Sequence, residues 1–163
     1  MADAPSKSKY SPENLIPMFR KAASLRNEMI ASGFTDNGGA IHCAERILDI
    51  LGLRLNYPGL SHINNLRNYP GSEFSPAALV SLECGEKVVI EHVSPRRALT
   101  RRAIGEIDNG ASDQEFTDYV RQHFRLVLLT AEETQHLNRI NRSEITHDRL
   151  GAAGISVVKR RGH

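Results

Sequence analysis

Two short apolar runs in the second half of the chain constrain the fold most strongly. Residues 87–92 read KVVIEH, and residues 125–129 read RLVLL. Short runs that are rich in Val, Ile and Leu are typical of β-strands, because helices need longer periodic segments. We expect these two strands to pair antiparallel, with the helix that follows the second strand lying across both.

Helical periodicity dominates the N-terminal half. The pair Ser11-Pro12 is typical of a helix start, with a hydroxyl cap and a proline at the first helical position. Apolar residues then recur at helical spacing as far as Gly33, which we expect to end this helix. A second amphipathic helix is predicted over residues 40–52, AIHCAERILDILG, with Gly52 as its terminator.

The remaining segments alternate between loops and short helices. Residues 56–76 are rich in Pro and Asn, which predicts loops with at most a short helix near SHINNLRN, and PAALVSL predicts another short helix. Helical spacing returns in RRALTRRAIGEI, between the two predicted strands. Capping boxes that begin at Ser112 and Thr130 predict two further helix starts. The stretch GAAGISVV predicts a short strand near the C-terminus.

These patterns predict an α+β protein, with a helical N-terminal half followed by a small ββα-type module. We expect four segments along the chain: a disordered tail (1–10), a helical region (11–84), a mixed α/β module (85–158) and a basic tail (159–163).

Composition excludes several classes of protein. Hydrophobic residues make up 40% of the chain and charged residues 25%, which is ordinary for a globular protein. No apolar run approaches the roughly 20 residues that cross a bilayer, and the N-terminus has no hydrophobic signal segment. We therefore expect a cytoplasmic protein without a membrane partner. Cys43 and Cys84 show no metal or redox spacing, and the glycine motifs of nucleotide-binding folds and serine hydrolases are absent.

The arginines are unevenly distributed along the chain. The net charge is only +2, but a cluster of basic residues follows closely after His92: Arg96, Arg97, Arg101 and Arg102. Basic clusters attract phosphates, so this cluster favours a polyanionic partner, either DNA or RNA. The solvated face of an amphipathic helix would give the same pattern, and both interpretations stay open.

The end of the first predicted strand carries the clearest chemical signal. Glu91 and His92 directly follow the apolar residues 88–90, and Pro95 comes three positions later. A carboxylate and an imidazole at a strand end can act as a metal ligand and a general base. They can also be a surface partner of the neighbouring arginines and a half-buried structural histidine.

The stretch EHVSP at residues 91–95 resembles the first-strand signature of His-Me finger nucleases, also called ββα-metal or HNH-type nucleases. The later stretch LVLLTAEETQHLN is similar to the second strand and capped helix of that superfamily. The resemblance covers about residues 87–141 and implies a metal-dependent endonuclease. It implies that His92 is the catalytic base and that Glu91 and Asn138 bind a divalent metal, with Mg²⁺ as the expected ion.

The implied chemistry suits these residue types. A neutral imidazole can accept a proton from the attacking water. A Mg²⁺ ion held by carboxylate and amide oxygens can stabilise the charge that develops on the phosphate during hydrolysis. The four arginines that follow His92 would contact the nucleic-acid backbone.

The later helix departs from the superfamily pattern. Thr134 stands where the first helix histidine is usual, Asn138 stands in place of the second, and His136 lies on another helix face. A second hypothesis is therefore a non-catalytic nucleic-acid-binding or inhibitor protein on a degenerate nuclease-like scaffold. A third is a structural or partner-binding domain that acts through its N-terminal helices.

Overall fold

A computed structural model describes residues 9–160 and confirms the α+β class. The helices of this range are α1 (Pro12–Ala31), α2 (His42–Asn56), α3 (Pro76–Glu83), α4 (Arg96–Asp108), α5 (Asp113–His123), α6 (Ala131–Ile140) and α7 (Arg149–Ala152), with a 3₁₀ helix at Ile63–Asn68. The strands are β1 (Glu73–Phe74), β2 (Val89–His92), β3 (Leu126–Leu129) and β4 (Val158–Lys159). Among the described residues, no helix combines the length and the apolar character that crossing a bilayer requires.

The chain forms two compact units, and each unit takes two separate segments. Within the described range, the first unit comprises residues 9–59 and Leu99–His123. The second unit comprises Leu60–Ala98 and residues 124–160. The chain therefore passes from one unit to the other three times, once within α4.

This division differs from the predicted boundary between a helical region and a mixed module. Leu99–His123 lies between the two predicted strands in sequence, yet it belongs with the N-terminal helices. Conversely, β1 and α3 precede the predicted boundary but belong with the sheet. The reason is that helical periodicity identifies an apolar face without identifying what packs against it. Of the predicted tails, residues 1–8 and 161–163 lie outside the described range, and Lys159 is part of β4.

The first unit is a helical cluster with an aromatic centre. Phe19 of α1 stacks on Phe116 of α5 with ring centroids 4.9 Å apart, and both rings are fully buried. α2 packs against α1 and α5 and buries Leu48 and Leu51. Each of these side chains contributes about 2 kcal/mol through removal of apolar surface from water.

The predicted ends of the first two helices had different outcomes. Gly33 ends α1 as predicted, because its φ of 95° is accessible to glycine without strain. The prediction for α2 was wrong, because the helix continues through a buried Gly52 to the end of its range. The leucines that follow this glycine extend the helical pattern, and the helix stops only near Pro58, which disfavours a helical conformation in the residue before it.

The second unit is built on a sheet with the strand order β2-β3-β1-β4. β2 and β3 pair antiparallel as predicted, and β4 confirms a short strand near the C-terminus. β1 pairs with β3 in parallel and with β4 antiparallel. β1 was not predicted, because it has only two residues in a segment rich in Pro and Asn.

The register of β2 and β3 determines which side chains share a face of the sheet. Glu91 is opposite Val127, and His92 is opposite Leu126. Val127 belongs to the apolar cluster that β3 shares with α6 and α7. Directly opposite residues share a face and successive residues alternate. Glu91 therefore faces α6 and α7, whereas His92 points to the other side of the sheet.

Candidate functional site

The side chain of Arg149 lies between Glu91 and Asn138, two of the site residues predicted from the sequence. Arg149 is the first residue of α7, and its side chain is only 1% exposed. Its Nε donates to the Asn141 carbonyl at 2.9 Å, and its Nη1 donates to the His92 carbonyl at 2.9 Å. The distances from Nη1 to Glu91 Oε1 and from Nη2 to Asn138 Oδ1 are both 3.4 Å. We call these five residues the Arg149 network.

Apolar packing holds the Arg149 network in place. Glu91 lies on the sheet face that carries the apolar cluster of the second unit. Asn138 follows the buried Leu137 on α6, and Arg149 precedes the buried Leu150 on α7. The neighbouring leucines pack against β3. The side chains of Glu91, Asn138 and Arg149 therefore have little freedom to move apart.

The Arg149 network does not fit the predicted divalent metal in this arrangement. Mg²⁺ requires oxygen ligands at about 2.0–2.1 Å in near-octahedral geometry. Here a buried guanidinium lies within reach of both Glu91 and Asn138, and it would repel a second cation at the same place. Within residues 9–160, no group of three His, Cys, Asp or Glu side chains is arranged to hold a metal ion. The Glu91 carboxylate and the Asn138 amide do lie beside a shared cation. That cation is the guanidinium of Arg149 and not a metal ion.

The structure does not bring His92 to the other two predicted site residues. Its imidazole meets the ring of Phe124 edge-on, with centroids 5.7 Å apart and an interplanar angle of 89°. Its main-chain carbonyl accepts the hydrogen bond from Arg149 in the Arg149 network. The predicted role of His92 as a general base therefore stays a prediction, without the neighbours that the resemblance implies.

One of the predicted nucleic-acid-binding arginines, Arg101, is part of an ion-pair group around the buried Asp36 in the first unit. Arg101 Nε donates to Asp36 Oδ2 at 3.0 Å. Arg26 donates to both oxygens of the same carboxylate, at 2.9 and 2.6 Å. The Asp36 side chain is 5% exposed, and the hydrogen bonds from Arg26 and then Arg101 lower its pKa to about 2. Arg101 therefore has a structural role in this unit.

The other arginines of α4 lie in different settings. Arg96 is exposed and Arg97 is half-buried, and both belong to the second unit. Arg102 is exposed in the first unit, near the rings of Tyr119 and His123, whose centroids are 4.4 Å apart with an interplanar angle of 40°. Burial lowers the pKa of His123, and the positive charge of Arg102 lowers it further. All four arginines are on α4, and their predicted role in nucleic-acid binding stays a prediction.

A shallow depression in the second unit adjoins the Arg149 network through Asn138. It has a volume of about 420 Å³ and is lined by Gln135, Asn138, Arg139 and Arg142. Both lining arginines are exposed. The depression therefore has guanidinium and amide groups in its lining.

Sequence reasoning missed the arginines of this region. Arg139 and Arg142 were visible only as basic residues near the C-terminal end of a predicted helix, where cations are common because of the helix dipole. Arg149 offered no signal, because it follows the irregular segment 141–148, which has no apolar periodicity.

Glu133 is confirmed as a capping residue. Its Oε1 accepts a hydrogen bond from the Thr130 N–H at 3.0 Å, and its own N–H donates to Thr130 Oγ1 at 3.1 Å. The Ser75 hydroxyl also donates to Glu133 Oε1. The carboxylate of Glu133 therefore accepts hydrogen bonds at the start of α6.

Comparison with known proteins adds no assignment to this geometry. No family model matches the chain, and neither the curated proteins nor the solved structures gave a significant match.

Proposed function

We propose that the protein binds nucleic acid through its second unit and does not hydrolyse it. The observation that supports this proposal best is the buried guanidinium of Arg149 between Glu91 and Asn138. It neutralises the acidic residue on which metal-dependent hydrolysis would rely. The same pairing removes a negative charge that would repel a polyanion from the adjoining depression.

The depression has the chemistry of a phosphate-binding surface. Arg139 and Arg142 present exposed guanidinium groups, whose forked donors match phosphate oxygens. Gln135 and Asn138 add amide groups that can donate to phosphates or to base edges. Glu132 and Glu133 are at the other end of α6, so the charges of this helix are separated along its axis.

The first turn of α4 begins close to the Arg149 network. Val93, whose carbonyl lies 3.5 Å from Arg149 Nη1, precedes Arg96 by three residues. An extended chain advances at most about 3.6 Å per residue, so the backbones of Val93 and Arg96 are within about 11 Å of each other. Arg96 and Arg97 are therefore close enough to the Arg149 network to contact further phosphates of the same strand. With the cytoplasmic location expected from the sequence, both DNA and RNA are available partners.

Fluorescence anisotropy with labelled single-stranded DNA, single-stranded RNA and duplex DNA tests the proposal across a salt series. We expect the double variant Arg139→Ala/Arg142→Ala to bind more weakly and to lower the slope of log K against log salt by about 2, one for each lost phosphate contact. The matched control is Arg46→Ala/Arg54→Ala, which removes two exposed arginines from α2. Equal affinities and slopes for the two double variants would exclude the depression as the binding surface.

A second candidate function is the metal-dependent endonuclease that the resemblance implies. The order β2, antiparallel β3 and then α6 packed against β2 supports it, because this is the ββα order of that superfamily. Incubation of supercoiled plasmid and of RNA with the protein and either Mg²⁺ or Mn²⁺ tests it. We expect no product. Metal-dependent cleavage that disappears in His92→Ala, at an unchanged melting temperature, would instead establish hydrolysis and overturn the binding-only proposal.

A further inference from the structure

Helix α1 carries exposed apolar side chains in addition to those that it buries. The inner side is buried in the first unit and consists of Leu15, Ile16, Phe19, Ala22 and Ala23. On the outer side, Met18 is 47% exposed and Leu25 is 54% exposed. These two residues are seven positions apart, which is two turns, so they lie nearly in line along the helix.

The end of α1 continues this line. Met29 lies one turn beyond Leu25 and is half-buried. The Phe34 N–H donates to the Met29 carbonyl at 2.9 Å, which brings Phe34 back beside the last turn of the helix. Phe34 is 56% exposed. Together Met18, Leu25, Met29 and Phe34 form what we call the α1 stripe, along a helix about 30 Å long.

Opposite charges flank the α1 stripe on one side. Lys21 and Glu28 each follow a stripe residue by three positions, so both lie on the same side of it, and both are exposed. The midpoint between Lys21 and Glu28 falls beside Leu25. This symmetry is what an antiparallel pair of identical helices requires, because a twofold axis beside Leu25 places Lys21 of one protomer opposite Glu28 of the partner subunit, twice.

We propose that the α1 stripe is the contact surface for a second copy of this chain, packed antiparallel about a twofold axis beside Leu25. Leu25 meets Leu25 of the partner subunit at the axis, and Met18 approaches Phe34 of the partner subunit. A parallel pair would place Lys21 against Lys21 of the partner subunit and Glu28 against Glu28 of the partner subunit. Both contacts bring like charges together and are unfavourable. The charges therefore select the antiparallel arrangement. This inference is independent of the proposed nucleic-acid binding.

Sedimentation velocity over a concentration series, without nucleic acid and at low salt, tests the proposal. We expect a monomer–dimer equilibrium for the wild-type chain. Lys21→Glu and Glu28→Lys should each raise the dimer dissociation constant about tenfold, because each creates two like-charge contacts per dimer. The double variant Lys21→Glu/Glu28→Lys exchanges the charges and should restore the wild-type constant. Lys87→Glu, an exposed charge reversal in the second unit, is the matched control.

A second variant tests the apolar part of the contact. Leu25→Asp places two carboxylates at the axis and should abolish dimerisation at every concentration, whereas Val80→Asp, at a position that is 59% exposed on α3, should not. All these positions are exposed, so the melting temperature of the monomer should change little. A wild-type chain that stays monomeric at all concentrations overturns the proposal. So does a dimer whose affinity does not recover when the two charges are exchanged.

Discussion

Arg149 is a charged side chain that is almost inaccessible to water, and its surroundings compensate for this. Removing a charge from water is unfavourable unless hydrogen bonds and an opposite charge replace the lost hydration. Two main-chain carbonyls at 2.9 Å supply the hydrogen bonds, and Glu91 supplies the charge. The guanidinium thereby connects β2, α6 and α7.

We expect Arg149→Ala to lower the free energy of unfolding by about 3 kcal/mol, because it leaves Glu91 without its opposite charge and the carbonyls without a donor. Urea denaturation followed by circular dichroism measures the change. Arg142→Ala removes an exposed guanidinium and should stay within about 0.5 kcal/mol of wild type. If Arg149→Ala is as stable as this control, the network does not stabilise the fold.

Asp36 should make stability depend on pH in the acid range. Its pKa is lowered from 3.8 to about 2 in the folded chain by Arg26 and Arg101. A carboxyl whose pKa is lowered by folding contributes stability that is complete above pH 3.8 and is lost as the pH falls towards 2. A pKa difference of this size corresponds to about 2 kcal/mol in the free energy of unfolding.

We expect Asp36→Asn to lower the free energy of unfolding at neutral pH by about 2 kcal/mol and to flatten its decrease with acidification. Denaturation curves between neutral pH and pH 2 measure this decrease. Asp113→Asn is the control, because the carboxylate of Asp113 also pairs with an arginine but is 67% exposed, and its loss should have little effect. Parallel curves for wild type and Asp36→Asn would contradict this interpretation of the ion pair.

At the residue scale, the sequence predicted on which face of an element a side chain lies, but not which other side chains it contacts. Strand alternation already placed Glu91 and His92 on opposite faces unless the strand ended there, and β2 in fact stays regular through His92. The meeting of Glu91 with Asn138 could be predicted from the order of strand, strand and helix. The guanidinium between them could not, because its position depends on the conformation of an irregular loop.

At the scale of elements, capping groups connect two helices to two neighbouring strands. β1 and β3 are parallel, so α3 and α6, which follow them, begin at the same edge of the sheet. Ser75 accepts from the Ala78 N–H to cap α3, and its hydroxyl donates to Glu133 in the capping box of α6. The two caps thus share one network. The boxes at Ser112 and Thr130 were predictable because capping is local, whereas the link from Ser75 to Glu133 spans distant segments.

We expect Ser75→Ala to lower the free energy of unfolding by about 2 kcal/mol, because it removes a helix cap and leaves part of a shared carboxylate without its donor. Ser112→Ala removes a cap of the same kind at an exposed position and should cost about 1 kcal/mol or less. Chemical denaturation of both variants measures the difference. Equal losses would show that the bond to Glu133 adds nothing to the local cap.

Guanidinium groups also cover the border of the sheet at β2. The Val93 N–H bonds to the Arg125 carbonyl on the β3 side, so the carbonyl of His92 points outwards, and so does that of Val88. Arg149 donates to the first of these outward carbonyls, and Arg67 donates to the second at 2.9 Å. An uncovered strand border can pair with another chain, and these arginines obstruct such pairing at both ends of β2.

At the scale of the whole molecule, each compact unit depends on segments that are distant in sequence. The first unit needs Leu99–His123 to supply Phe116, and the second needs β1 between β3 and β4. Periodicity and capping predicted most of the elements themselves. The grouping of elements into units could not be predicted, because an amphipathic helix does not specify which of several apolar surfaces it covers.

We expect a fragment of residues 85–163 to be unfolded, although it contains the whole predicted ββα-type module. It lacks β1, so β3 loses a neighbour and β4 loses its partner, and Leu99–His123 exposes the apolar face that α1 and α2 would cover. Circular dichroism and thermal melting of the fragment beside the full chain measure this. A cooperative melting transition in the fragment would mean that the module is an autonomous domain after all.

The strand order has a consequence for how the protein matures on the ribosome. β1 is synthesised before both of its neighbours in the sheet, β3 and β4, and long segments of chain separate it from them. Phe74, which is fully buried in the finished structure, therefore lacks its final surroundings until β3 and β4 have been synthesised. Nascent chains of this topology are exposed to premature association, so chaperone supply should limit the yield of the native form when synthesis is rapid.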